Sequence, residues 1–140
     1  MKTLLNLLVI TLTLNLSAQN EDYVGTYGWY VLTVKDEIID YKINLESDGT
    51  FKFTSYVTDI GKNEYSGLSK GSWIVKNKVI HFTSEPTDVD GIKNLNFTGT
   101  TARIIKKSPR NKSELKSPTF LQFYKSDIFW VSNLKLTLIE

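Results

Sequence analysis

From Ile39 to Glu46 the chain alternates strictly: Ile39, Tyr41, Ile43 and Leu45 are apolar, while Asp40, Lys42, Asn44 and Glu46 are polar. A period of two places the apolar set on one face of a strand whose other face meets water. Ser47-Asp48-Gly49-Thr50 follows, and alternation resumes with Phe51 and Phe53 set against Lys52 and Thr54. Asp-Gly between alternating runs predicts a type I′ hairpin, in which both central residues need positive φ. A second hairpin is predicted from Gly71 to Ser84, turning at Lys76-Asn77. Near the end of the chain Leu134, Leu136 and Leu138 alternate with Lys135 and Thr137. Eight strands are predicted, near residues 25–34, 38–46, 50–57, 71–76, 78–84, 95–106, 119–125 and 128–138, with Gly99 marking a bulge or bend in the sixth. Helical periodicity is almost absent. Consecutive strands joined largely as hairpins predict an all-β fold, an eight-stranded antiparallel up-and-down β-barrel, which leaves no open edge. A two-sheet β-sandwich is the alternative.

The N-terminus follows a different pattern. Met1-Lys2 is basic, Leu4 to Leu16 is apolar and uncharged, and Ser17-Ala18 supplies small residues. This predicts a signal peptide over residues 1–18, cleaved before Gln19, with a run too short to remain as a membrane anchor. The expected product is one barrel domain over residues 19–140, exported to the periplasm or the medium. A chain of 140 residues suits one such domain and no more. It contains no cysteine, so no disulfide or lipidated cysteine is available and stability must come from the core. The formal net charge of +2 asks for neither nucleic acid nor membrane as a partner.

Three short motifs carry a family resemblance: Val24-Gly25-Thr26-Tyr27-Gly28-Trp29, Leu45-Glu46-Ser47-Asp48-Gly49-Thr50-Phe51 and Gly71-Ser72-Trp73. Together they resemble the lipocalin-like domains of small bacterial envelope proteins, within the calycin group of barrels. The resemblance implies an eight-stranded barrel, often with an interior that holds an apolar ligand. The chain departs from the pattern in two places. Tyr27 stands where lipocalins carry the Trp of Gly-X-Trp, and the Cys-X-X-Cys of related copper-response lipoproteins is missing. The likeness therefore speaks for a fold and not for a substrate.

Candidate chemistry is sparse. With no cysteine and His81 as the single histidine, a Cys/His metal site is nearly excluded, and His81 reads as part of the barrel wall. Gly67-Leu68-Ser69-Lys70-Gly71 matches the hydrolase Gly-X-Ser-X-Gly, but that motif works on a strand-to-helix turn, and here it reads as a loop before a strand. Asp88-Val89-Asp90-Gly91 begins like a calcium loop without the later ligands. Asp36, Glu37 and Asp40 read as carboxylates at a hairpin tip facing water. No catalytic residue, metal or cofactor is expected.

What remains are the aromatics and the charges. Trp29, Tyr41, Phe53, Trp73, Phe97 and Trp130 fall in predicted strands and are the candidate interior, either a filled core or the lining of a narrow ligand cavity. In an up-and-down barrel alternate connections share an end. One end has the predicted long loops Thr58–Lys70 and Glu85–Asn94, and carries Asp36, Glu37, Asp59, Glu64, Glu85, Asp88 and Asp90 against Lys35, Lys62, Lys70 and Lys93. The other carries Lys76, Lys78, Lys106, Lys107, Arg110, Lys112 and Lys116 against Asp48 and Glu114. The acidic end would disfavour fatty-acid carboxylates and suit neutral or cationic ligands, and the basic end would suit an anionic envelope surface. Two functions fit: a non-enzymatic binding protein holding a small apolar molecule, or an inhibitor or immunity-type module. The second would contact a basic protein, such as a cell-wall hydrolase, through Asp59, Glu85, Asp88 and Asp90. A carbohydrate binder using an exposed Trp or Tyr is a third reading, although no aromatic pair stands out in a loop.

Overall fold

The computed structural model describes residues 21–106 and 118–140. The expected leader and the charged residues Lys107, Arg110, Lys112, Glu114 and Lys116 lie outside them. The strands are β1 (Gly25–Leu32), β2 (Ile38–Leu45), β3 (Thr50–Thr58), β4 (Glu64–Lys76), β5 (Val79–Glu85), β6 (Lys93–Asn94), β7 (Thr101–Lys106), β8 (Thr119–Lys125) and β9 (Lys135–Leu138). Eight of them form a closed antiparallel barrel in the order β1-β9-β8-β7-β5-β4-β3-β2, sealed by pairing of β3 with β4. The two-residue β6 adds to β4 in parallel. The fold is thus the up-and-down barrel and not the sandwich.

The alternation seen in the sequence is what fills the barrel. Ile43 and Leu45, Phe51 and Phe53, Ile80 and Phe82, and Leu121 and Phe123 all turn inward and are buried, joined by Tyr27, Trp73, Ala102 and Leu136. Phe51, Phe53, Phe82, Phe97 and Phe123 form one ring cluster with centroids 4.8 to 6.1 Å apart, in tilted, stacked and edge-on pairs, the spacings at which aromatic pairs attract. Trp73 closes the base. Its Nε1 donates to the carbonyls of Glu46 at 3.2 Å and Thr50 at 2.9 Å, and its own backbone N–H donates to Gly49 at 2.8 Å. One indole therefore latches the β2–β3 turn to the core.

The type I′ geometry expected at Asp48-Gly49 is found at the other tight hairpin. Around Asp48-Gly49 the loop has three residues, Ser47 to Gly49, with Glu46 N–H donating to Thr50 at 2.9 Å. Only Gly49 there has positive φ, at 84°, as in a type I turn closed by a left-handed residue. The Asp48 carboxylate accepts from both the Thr50 amide and its hydroxyl. Stabilised this way, Asp48 needs no left-handed conformation. The type I′ geometry falls instead at Asn77 and Lys78, with φ of 52° and 64°, one residue later than the predicted turn.

Three predicted strands have different extents. The expected loop over 58–70 is mostly strand, since β4 starts at Glu64 and leaves only residues 59–63 as a turn. Ser66, Gly67 and Ser69 have poor strand propensity, but β3 offers a complete ladder from Thr50↔Ser72 to Thr58↔Glu64, and Lys70 accordingly lies on the wall. Of the expected strand over 95–106 only Thr101–Lys106 is strand, because Thr100 N–H turns back to Phe97 at 2.8 Å around Gly99 (φ 83°). The bend at Gly99 was legible; the break in pairing was not. Residues 128–133 form a turn, with Val131 N–H donating to Ile128 at 3.0 Å, so the last strand begins only at Lys135. Trp130 therefore arises from a turn.

Two consequences can be measured. Replacing Trp73 by Ala should cost about 3–5 kcal/mol in urea denaturation, the range for emptying a large aromatic site, and Trp73→Phe about 1–2 kcal/mol for the lost indole bonds. The second concerns alkali. Burial pushes the Tyr27 phenol up to about 12, and its hydroxyl donates to the Tyr23 carbonyl at 2.9 Å. The folded value lies above the unfolded one, so this stabilisation is complete below about pH 10 and is lost as pH rises toward 12. Tyr27→Phe should flatten the fall in stability across that window.

Candidate functional site

The connections over residues 33–37, 59–63, 86–92 and 126–134 share one end of the barrel, opposite the tight turns at 46–49 and 77–78. At this mouth lies a cleft of about 480 Å³, lined by Tyr41, Ser55, Val57, Glu64, Tyr65, Ser66, Gly67, Gly91, Lys93, Leu95 and Trp130. Its aromatic wall is a stacked pair, Tyr41 and Trp130, with centroids 5.1 Å apart and planes 26° from parallel. Both rings also meet Phe53, at 6.3 and 6.1 Å, so the wall rests directly on the phenylalanine core. Burial pushes the Tyr41 phenol upward.

Space exists here because the inward positions of β3 and β4 change from large to small. Phe51 and Phe53 give way to Ser55 on β3, and Trp73 gives way to Gly71, Ser69 and Gly67 on β4. A Cβ at Gly67 would come within 2.5 Å of the Ser55 Oγ and 2.7 Å of Leu95 Cδ1. Glycine therefore lets Leu95 close the floor. The crossover that brings Leu95 and Phe97 inward is pinned by Ser84, whose Oγ accepts the Phe97 amide at 2.6 Å and meets the Ser69 Oγ at 2.7 Å. Leu95 N–H donates to the Leu68 carbonyl at 2.8 Å.

Of the six candidate interior aromatics, the structure brings Tyr41 and Trp130 to the cleft. Phe53 and Phe97 are wholly buried beneath it, and Trp73 sits at the base. Trp29 is 43% exposed and leans on Tyr41 at 5.8 Å, at the upper part of the wall and not inside it. The phenylalanines thus fill the middle of the barrel, and the cleft lies above them at the mouth. Sequence reading missed Tyr65, Ser55 and Leu95, and counted Glu64 and Lys93 only as rim charges. The run of small inward residues is the available signal, but Gly67-Leu68-Ser69-Lys70-Gly71 reads as a loop.

The four acidic candidates separate into two kinds. Asp59 serves its own turn: its carboxylate accepts from the Asn63 amide at 2.9 Å, the Asn63 side chain at 3.0 Å and the Tyr65 hydroxyl at 3.2 Å. The Asn63 bonds, first among these, hold its carboxyl below the usual range. Glu85, Asp88 and Asp90 are exposed. Glu64 accepts from the Tyr56 hydroxyl at 2.9 Å.

The hydrolase-like motif is part of the wall. Ser69 is fully buried on the inner face, while His81 stands between the inward Ile80 and Phe82 and so projects outward, on the opposite side of the sheet. Downstream of the calcium-like Asp88-Val89-Asp90-Gly91, the Asn94 Oδ1 accepts the Thr87 hydroxyl at 2.9 Å. Comparison of the chain with protein-family models, with curated proteins and with solved structures finds no match.

The Asp59 contacts predict an acid-sensitive turn. Its carboxyl is held below the unfolded value, so the turn is fully secured above about pH 4 and loosens as pH falls. Amide exchange at Asn63, corrected for its intrinsic pH dependence, should accelerate on acidification, and in Asp59→Ala it should be fast at neutral pH. The same change at Asp88 should leave it unaltered.

Proposed function

We propose that this protein is an exported, non-enzymatic binding protein of lipocalin-like kind that holds a small, mainly apolar molecule in the mouth cleft. The observation that carries this reading is the Tyr41–Trp130 pair facing a cleft of about 480 Å³, within the ordinary size of small-molecule sites. Val57 and Leu95 extend the apolar lining, and Glu64, Lys93 and the Ser55 and Ser66 hydroxyls offer contacts to a polar end. The expectation of a ligand deep in the barrel is revised to one at its mouth, because the phenylalanines occupy the rest.

A second reading, an inhibitor or immunity-type module, draws support from the exposed carboxylates of Asp88 and Asp90 on the same rim, with Glu85 exposed lower on the wall opposite Lys70. Such a module would contact its partner through these groups and would have no use for the stacked pair below them.

The neutral fluorophore N-phenyl-1-naphthylamine tests the first reading. Titration should give saturable binding at one site per chain. Trp130→Ala, which removes half the wall, and Val57→Trp, which narrows the cleft, should each weaken it at least tenfold while thermal unfolding remains cooperative. Absence of saturable binding, or parental binding by both variants, would overturn the proposal.

A further inference from the structure

The mouth carries a second unusual feature, independent of what the cleft holds. Each connection at this end presents at least one large apolar side chain to solvent: Val34 between β1 and β2, Ile60 between β3 and β4, Val89 and Ile92 after β5, and Phe129 before β9. Val34 is fully exposed, Phe129 is 88% exposed and Ile60 66%. At the opposite end the described turns present Glu46, Ser47, Asp48, Asn77 and Lys78 instead, and the exposed apolar side chains nearest them, Ile74, Leu138 and Ile139, lie on β4 and at the end of the chain and not in turns. Isolated exposed apolar residues are ordinary, but a set gathered at one end, one or more to a loop, marks a contact surface.

We propose that this crown docks the barrel, mouth first, on a lipid bilayer with zwitterionic headgroups. Two features favour a fluid apolar phase over a protein partner. The side chains stand on separate loops around a depression, so a rigid flat partner could not bury them together, whereas each can enter a deformable interface on its own. Trp29, Tyr30 and Tyr65 lie just behind the tips and are each substantially exposed, and amphipathic aromatics favour the headgroup level.

Charge selects the lipid. The four connections hold six carboxylates, Asp36, Glu37, Asp59, Asp88, Asp90 and Asp127, against Lys35 and Lys62. An anionic bilayer would repel this end. The outermost charges of a phosphatidylethanolamine or phosphatidylcholine surface are ammonium groups, which the exposed carboxylates complement.

Co-sedimentation of the secreted protein with vesicles of phosphatidylcholine and phosphatidylethanolamine tests the proposal. The protein should partition onto them, with a blue shift of tryptophan emission. Val34→Asp with Phe129→Asp should lower the partition coefficient at least tenfold, and Ser47→Asp, at the other end, should leave it unchanged. Both altered tips are solvent-exposed, and far-ultraviolet circular dichroism verifies that the variants fold. Adding phosphatidylglycerol should weaken partitioning at low salt, and raising the salt should restore it. Failure to partition, equal partitioning by the double variant, or tighter binding to phosphatidylglycerol vesicles would overturn it. Salt-sensitive retention on immobilised polylysine by a protein that ignores neutral vesicles would assign this end to a basic protein instead.

Discussion

At Gly71 the Thr83 carbonyl of β5 comes so close that a Cβ at this position would overlap it, with the Ser84 Cα only 2.9 Å away. This approach lets one strand serve two neighbours. β4 pairs with β3 from Glu64 to Ser72 and with β5 from Lys70 to Lys76, so its two partners overlap for only a short length on either side of Gly71. There β4 turns from one side of the barrel to the other. Glycine in a strand normally weakens it, and it persists where backbones must approach closely. The barrel is closed because this corner can form, and both the filled base and the open mouth are arranged around it.

Below the corner, Trp73 and the phenylalanines fill the cross-section. Above it, Gly67 and Ser55 line the volume that the mouth cleft occupies. One barrel therefore has two regimes. The base gains its stability from aromatic burial and from an indole that satisfies turn carbonyls. The mouth gives up part of that burial, and its order comes from polar anchors such as Ser84 and Asp59, which fix the segments carrying Leu95, Phe97 and Tyr65.

Most of the barrel could be read from the chain wherever alternation was clean. β2, β3 and β5 follow the apolar pattern closely, and Trp73 is as buried as Gly71-Ser72-Trp73-Ile74-Val75 suggested. The upper half of β4 could not be read, because Ser66, Gly67 and Ser69 bear no strand signature of their own and are held by a ladder to β3 that only the fold creates. For the same reason the cleft was only half legible. Tyr41 and Trp130 stood out as aromatics, but that they stack depends on residues 128–133 forming a turn across the mouth, and the apolar run Ile128 to Val131 looks equally like a strand. The exposure of Trp29 was hidden as well. It shares its inward parity with Tyr27, yet lies near the top of β1, where little of the core remains to cover it.

The seam between β1 and β9 has its own consequence. Elsewhere the barrel is joined mostly between elements near one another in sequence, but this joint unites its first and last strands through the pairs Tyr27↔Leu138 and Gly28↔Thr137, with Thr26 bonded to Glu140 beyond them. Closing so long a loop carries the largest chain-entropy cost of any pairing here, and few hydrogen bonds offset it. In a folding chain the hairpins would form early and this joint late. In the native state, with two ladder pairs like the β5–β7 joint, it is a line along which the cylinder can open into a curled sheet before the rest unfolds. The strands that flank this weak line bear Tyr27 and Leu136, so each opening would wet the core from the side, leaving the mouth and the base intact.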